Sequence, residues 1–192
     1  MPLGRFTNSF KTSARVALIC ALLLLSQLSF ARAAGGKLSS DDESFLKDAA
    51  QDGMAEVQFA NLALQKSARP SVKKFAKRIV ADHAKTNSKL KALAAAANID
   101  LPDGPGLKND AEKARFELLS GKDFDYSYVN AMVDDHKADV EKFQRAAAKT
   151  TDPELKHFIS ATLPVLKKHL QMIRTVQDNL LATNRKIDGN DR

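Results

Sequence analysis

The chain has 192 residues, a length that favours a single domain. Its formal net charge is +7, but four positive charges lie in the first 33 residues; without that segment the charge is +3, and nucleic-acid binding loses its main support. The only cysteine, Cys20, lies in the same segment, so the rest of the chain can neither form an internal disulfide nor use a thiol as nucleophile or metal ligand.

Residues 1–33 have the pattern of a secretory signal peptide. Basic residues precede an apolar run over residues 16–30, and no acidic residue occurs before Asp41. Ala31-Arg32-Ala33 then supplies the small-x-small pattern that signal peptidase cleaves. Because the apolar run is too short for a typical membrane span, we predict cleavage near Ala33–Ala34 and a periplasmic protein, with an uncleaved anchor as the alternative.

A short linker over residues 34–39 precedes a chain in which helix-favouring residues dominate and no stretch alternates as a strand does. Ser40-Asp41-Asp42-Glu43 predicts the start of the first long helix, with Ser40 as N-cap and Glu43 completing a capping box. This helix is expected to reach about residue 68. Arg69-Pro70 ends it, because the residue before a proline disfavours helical geometry.

The second long helix is predicted over residues 71–97, with an apolar stripe of helical period. Seven basic residues also lie on it, and we interpret them as a solvated outer face. A contact with an acidic component of the cell envelope is the functional alternative. The seven residues are Lys73, Lys74, Lys77, Arg78, Lys85, Lys89 and Lys91.

A long connection follows, broken by prolines and glycines over residues 98–109 and carrying a short helix over residues 110–119. The third long helix is predicted over residues 123–149. Asp152-Pro153 then starts the fourth, with Asp152 as N-cap and Pro153 at the first helical position. This last helix is expected to end near residue 184, before a polar tail over residues 185–192.

Four long helices with two tight connections and one long one predict an all-α fold, an up-down four-helix bundle over residues 40–184. The connection between the second and third long helices is long enough to run the length of the bundle. The topology is therefore expected to be of the ferritin type, which has one long crossover.

Three of the four histidines lie on the inward stripes of the second, third and fourth long helices: His83, His136 and His169. Glu56 lies on the inward stripe of the first. Glu56 and His83 are equally far from the turn near residue 69, and the other two histidines are equally far from the turn near residue 152. Antiparallel partners at equal distance from their turn are level, so the four side chains are expected to meet in the middle of the bundle.

Three imidazoles and a carboxylate suit one Zn, Fe, Mn or Cu ion. Asp82 and Asp135 each precede a histidine and point about 100° away from it, so each can face the histidine of an adjacent helix and fix its tautomer. The alternative is a polar layer of histidine and aspartate that sets the register of the bundle.

The sequence contains no phosphate loop, nucleophile elbow or dinucleotide fingerprint. We therefore name no catalytic residue and favour a binding protein over an enzyme. A metal-dependent enzyme would need an open coordination position and a substrate pocket, and nothing in the sequence indicates that pocket.

At these residues the chain resembles a bacterial family of unknown function whose members are ferritin-like and are often labelled predicted outer-membrane or periplasmic proteins. The resemblance covers nearly all of residues 40–182 and implies a ferritin-like four-helix bundle without an assigned activity. The outer-membrane label is not expected to apply, because alternating strands are missing from the sequence. The matching segments are Gly53-Met54-Ala55-Glu56, Phe75-Ala76 to Asp82-His83, Asp135-His136, and Leu163-Pro164 to His169-Leu170.

The wider ferritin superfamily binds two irons with Glu-x-x-His on two helices. Here Val80 and Leu166 stand three residues before His83 and His169, so a di-iron site is disfavoured and a mononuclear site or none is expected. The leading hypothesis is a periplasmic bundle that binds a metal or ligand, with a role in envelope stress suggested by fold analogy alone. The alternative is a non-catalytic structural or interaction module.

Overall fold

A computed structural model describes residues 37–190, with side chains described as far as residue 183. The predicted signal peptide and its cleavage site lie outside the described residues. All regular structure in the described range is helical, and none of these helices combines the length and apolar character needed to cross a membrane. The helices are α1 (Ser40–Lys66), α2 (Pro70–Ala96), α3 (Leu107–Leu118), α4 (Gly121–Lys149) and α5 (Pro153–Asn190).

The N-terminus of α1 is capped by Ser39, so the prediction of Ser40 as N-cap is wrong by one residue. The Ser39 hydroxyl oxygen accepts a hydrogen bond from the backbone N–H of Asp42 at 3.1 Å and donates one to the Asp42 carboxylate at 2.8 Å. This reciprocal contact places the acidic partner three residues after Ser39, and Ser40 becomes the first helical residue.

The start of α5 agrees with the prediction, and its end does not. The Asp152 carboxylate accepts a hydrogen bond from the backbone N–H of Leu155 at 2.9 Å, and Pro153 is the first helical residue. The helix continues to Asn190, through most of the segment that was predicted as a polar tail. Nothing between residues 184 and 188 is a glycine or proline, so no residue there forces the helix to stop.

The core consists of two apolar layers, and their composition gives the direction of each helix. One layer takes the C-terminal half of α1, the N-terminal halves of α2 and α4, and the C-terminal half of α5, with Phe59, Phe75, Tyr128 and Ile173 as examples. The other takes the opposite halves, with Leu46, Leu90, Phe143 and Ile159 as examples.

The helices of the pairs α1–α2 and α4–α5 are therefore antiparallel, but α2 and α4 run in the same direction. The predicted long crossover is observed, because the connection from α2 to α4 returns along the whole bundle before α4 begins; the up-down part of the prediction is wrong, since the helices do not alternate strictly in direction. The helix α3 belongs to this crossover and begins three residues earlier than predicted.

The crossover is fastened to the bundle near the end of α3. Phe116 is fully buried, with its ring centroid 5.2 Å from that of Phe59 and 6.1 Å from that of Phe124. The Lys66 ammonium at the end of α1 donates hydrogen bonds to the backbone carbonyls of Glu117 and Leu119 at 2.6 and 2.7 Å. These contacts fix the place where the chain enters α4.

The seven basic residues of α2 lie away from the core. Six are exposed, and Lys73 is half-buried. One of them, Arg78, also forms an ion pair with Asp82 at 2.5 Å. These side chains therefore form an exposed face of α2, which is common to the solvated face and to the partner-binding alternative.

Candidate metal centre

The three histidines meet between the two apolar layers. His83 is 5% exposed, and His136 and His169 are 0% exposed. One ring nitrogen of each lies within 4.8 Å of a ring nitrogen of the other two. The convergence predicted from their equal depth in the helices is therefore observed, and the polar layer is nearly closed to water.

The rings pack against one another in a compact triangle. His83 stacks on His169 with centroids 5.5 Å apart, and His136 stands edge-on to both at 5.9 and 5.5 Å. Phe75 lies edge-on to His136 at 5.8 Å, so an apolar ring separates the triangle from the neighbouring core layer.

Glu56 joins the triangle from α1, on the Nδ1 side of two rings. Its Oε2 lies 2.9 Å from Nδ1 of His83, and its Oε1 lies 3.3 Å from Nδ1 of His136. Both contacts are ion pairs by distance, whereas neither oxygen accepts a well-directed hydrogen bond. Because Glu56 faces these Nδ1 atoms, it occupies the position of a carboxylate that orients imidazoles.

Hydrogen bonds fix the tautomers of the two fully buried histidines. The Nδ1–H of His136 donates to the backbone carbonyl of Met132 at 3.0 Å, which leaves Nε2 as the nitrogen with a lone pair. The Nε2–H of His169 donates to the Asp82 carboxylate at 2.8 Å, which leaves Nδ1. Both remaining nitrogens are buried and have no hydrogen-bond partner in the described part of the chain.

The two aspartates that precede histidines have different surroundings. Asp82 contacts His169 of the adjacent helix, as predicted. Asp135 forms no ion pair with any described histidine, and the charges of Lys108 and Glu112 on the crossover helix α3 act on it. Burial, followed by the negative charge of Glu56, raises the pKa of Asp135 to about 7.

The charges within the cluster depend on one another. Burial opposes ionisation of Glu56, but the imidazoles of the three histidines outweigh it and lower its pKa to about 2. For His83, burial opposes the charged form, yet Glu56 raises the pKa above its ordinary value. Burial lowers the pKa of His136, and burial together with the other two histidines lowers that of His169 to about 4. Within the metal-free cluster these effects favour an ionised Glu56 beside a protonated His83 and favour the neutral forms of His136 and His169.

Sequence reasoning did not identify Asp139, which is buried three residues after His136 on the same face of α4. Burial, followed by the charge of Glu56, raises its pKa well above the ordinary value. Lys142 forms ion pairs with Asp139 at 3.5 Å and with Asp52 of α1. The three-residue spacing after His136 was the signal that could have indicated Asp139.

A small cavity of about 20 Å³ adjoins the cluster. Glu56, His83 and Asp139 line it together with Asp52 and Asn87. Gly53 also lines it, and a Cβ atom at this position would collide with the side-chain amide of Asn87. Gly53 therefore makes room for a side chain of the neighbouring helix.

Several solved structures share this helical fold at low sequence identity. CopM in the Cu(II)-bound form is 20% identical with a TM-score of 0.58, over 72% of this chain and 96% of CopM. A DUF305 fragment from Deinococcus radiodurans is 12% identical with a TM-score of 0.67, over 75% of this chain and 99% of that one. A putative secreted DUF305 protein from Streptomyces coelicolor is 15% identical with a TM-score of 0.64, over 73% and 92%.

These identities establish likeness of fold only, and no curated protein matches the chain. The model of one family, DUF4142, matches residues 27–176, which is most of the sequence. The match includes all four long helices up to the middle of α5, and with them the histidine triangle and Glu56. The chain therefore belongs to the DUF4142 family, a domain of unknown function.

Proposed function

We propose that this protein is an exported metal-binding bundle that holds one copper ion at His83, His136 and His169. The observation that carries the proposal is the pair of buried ring nitrogens, Nε2 of His136 and Nδ1 of His169, that lack a hydrogen-bond partner inside a triangle of imidazoles. A buried polar atom without a partner costs free energy, and a bound cation removes that cost.

The chemistry of the donors supports a metal more than a polar packing layer. A ligating imidazole usually gives its second ring nitrogen to an oxygen acceptor, which orients the ring and raises its basicity. The Met132 carbonyl accepts from His136 in this way and Asp82 accepts from His169, whereas Glu56 Oε2 lies 2.9 Å from Nδ1 of His83 as an ion-pair partner. A packing layer alone would leave the second nitrogens of His136 and His169 unexplained.

Copper is our choice among the metals that the sequence leaves open. Nitrogen donors bind Cu²⁺ more tightly than the other divalent first-row ions. CopM, which has a similar fold, is described in Cu(II)-bound, Cu(I)-bound and Ag-bound forms. In this assignment Glu56 is a partner of the imidazoles and not the fourth ligand that its position in the sequence predicts.

We further propose that the fold is ferritin-like and that the protein acts after export. A single long crossover between two antiparallel helix pairs is the connectivity of ferritin-like bundles. The signal-peptide pattern over residues 1–33 supports export.

The test is a copper titration of the mature protein, isolated after export and freed of metal by a chelator. We expect one Cu(II) per chain and a higher melting temperature, because an ion that binds only the folded state adds about 2.7 kcal/mol at a hundredfold excess over Kd. His136→Ala should abolish both effects. His157→Ala, which removes an exposed histidine of α5, is the matched control and should leave both unchanged.

The alternative of a structural polar layer predicts a different outcome. His136→Ala would still lower the melting temperature, since it leaves buried partners unsatisfied. However, neither chelator nor added Cu, Zn, Fe or Mn would shift the melting temperature of the unmodified protein. That result would replace metal binding with a packing role.

A further inference from the structure

We propose that the small cavity beside Glu56 and His83 is the route by which a cation reaches the histidines, and that Lys142 closes its outer end. This inference rests on the proposed metal-binding function and extends it to how the site is filled. It assigns tasks to Asp52, Asp139 and Lys142, which lie outside the histidine triangle.

The route follows from which members of the cluster the cavity touches. His136 and His169 are fully buried and do not line it, whereas His83 and Glu56 do. His83 is also the one histidine of the triangle that retains some exposure. An ion in the cavity therefore meets Glu56 and His83 first and the other two imidazoles next.

Three carboxyl groups of decreasing exposure line the cavity. The side chain of Asp52 is 34% exposed, that of Asp139 is 9% exposed and that of Glu56 is 3% exposed. Asp52 and Glu56 are one helical turn apart on α1, and Asp139 faces them from α4. This order gives a cation an oxygen ligand at each stage between solvent and the histidines.

The size of the cavity requires the cation to lose water on the way. A volume of about 20 Å³ holds one water-sized particle, so a fully hydrated ion does not fit. The side chains of Thr86, Asn87 and Thr162 also line the cavity and can replace water oxygens around a dehydrated ion. The route thus favours ions that exchange their water readily.

Lys142 holds a positive charge at the outer end of this route. Its ammonium pairs with Asp52 and Asp139 together, and its side chain is 25% exposed. A lysine ammonium is a compact charge on a flexible stem, so it can swing into solvent when a metal cation takes its place between the carboxylates. A static ion pair, with no part in metal entry, is the alternative.

The experiment compares the rate of copper loading with the affinity at equilibrium. Metal-free protein is mixed rapidly with Cu(II), loading is followed by absorbance, and Kd is measured by titration. Asp52→Asn should slow loading and release alike, by about tenfold, with Kd unchanged within about threefold, because a route affects the barrier and not the end state. Lys142→Met should accelerate both rates by a similar factor.

Matched controls separate the route from overall charge. Asp178→Asn and Lys137→Met change the same charges at exposed positions of α5 and α4 and should load as the unmodified protein does. The double variant Asp52→Asn, Lys142→Met removes both charges of the Asp52–Lys142 ion pair together. It therefore keeps the test possible if the unpaired charge in either single variant causes a folding defect. It should load faster than Asp52→Asn alone.

Three outcomes would overturn the inference. If both single variants load copper at the same rates as their control variants, the ion enters elsewhere. A rate loss in Asp52→Asn accompanied by an equal loss of affinity would place Asp52 in the site itself. An unmodified protein that takes up no copper would remove the proposed function, and this inference with it.

Discussion

The charge of each group in the histidine cluster is set by its neighbours, and His169 is the clearest case. Burial and the two nearby imidazoles lower its pKa to about 4, although Asp82 acts in the opposite direction. A histidine with an ordinary pKa of 6.5 is thereby kept neutral in the folded protein. The unfolded chain has no such constraint and binds a proton at a higher pH.

This difference predicts a pH dependence for the metal-free protein. The stabilising contribution of neutral His169 is complete above pH 6.5 and is lost as the pH falls to 4, by at most about 3 kcal/mol. Asp135 and Asp139 have raised pKa values and act in the opposite direction, so the comparison uses a variant. Urea unfolding should show that the stability advantage over His169→Gln shrinks between pH 7 and pH 4. The prediction would be contradicted if the free energies of unfolding of the unmodified protein and of His169→Gln changed with pH in parallel. His157→Gln is the control.

Tyr128 gives a second prediction at this scale. Its hydroxyl is fully buried and has no hydrogen-bond partner among the described residues, while its ring stacks on Phe124 at 5.9 Å. Tyr128→Phe keeps the ring and removes the unsatisfied hydroxyl. We expect the free energy of unfolding to rise by about 1 kcal/mol, measured by denaturant unfolding. A loss of stability would mean that a water or ion satisfies the hydroxyl.

The sequence predicted the meeting of Glu56 with the three histidines, because depth along a helix is fixed by residue number. It did not predict that Glu56 stands beside the Nδ1 atoms, since ring orientation depends on hydrogen bonds such as that from His136 to the Met132 carbonyl. Asp139 was missed because acidic residues are frequent on helix surfaces. Its three-residue spacing from His136 places it on the same face of α4, and packing then shows that it is buried.

At the scale of the helix, the N-terminus of α1 can be tested directly. Ser39 and Ser40 are adjacent and both exposed, but only the Ser39 hydroxyl accepts the hydrogen bond from the Asp42 backbone. Ser39→Ala should therefore reduce the free energy of unfolding by about 1 kcal/mol, and Ser40→Ala should change it little. The opposite ranking in thermal or urea unfolding would restore Ser40 as the cap.

Helix boundaries were predictable where one residue type permits one geometry. Pro153 fixes the start of α5, and Asp152 before it is the natural cap. The start of α1 could not be predicted to the residue, because Ser39 and Ser40 can each cap a helix and an acidic residue follows each of them at the required spacing. The end of α5 was missed because polar composition alone does not end a helix.

At the scale of the whole molecule, the crossover is attached to the core by one aromatic side chain. Phe116 is fully buried between Phe59 and Phe124, whereas Leu118 two residues later is 88% exposed. We expect Phe116→Ala to cost about 3–5 kcal/mol and Leu118→Ala to cost little. Equal effects in denaturant unfolding would show that the crossover does not depend on this anchor.

The class of fold was predictable from helical periodicity, and the length of the connection after α2 favoured the long crossover that is observed. Length permits this crossover without requiring it, because a connection of this length can also join the two helices at one end of the bundle. The choice depends on which half of α4 packs with which half of α1. Tyr128 and Phe143 are both large apolar residues and suit either layer.

The three histidines belong to two different helix pairs, His83 to the first and His136 and His169 to the second. An ion bound to all three would tie the pairs together at mid-height, as a covalent cross-link would, in a chain whose only cysteine is Cys20. The helix pairs could then separate only after a metal–nitrogen bond breaks. Such a metal cross-link slows unfolding, so the bound ion would govern the lifetime of the folded state as well as its free energy of unfolding.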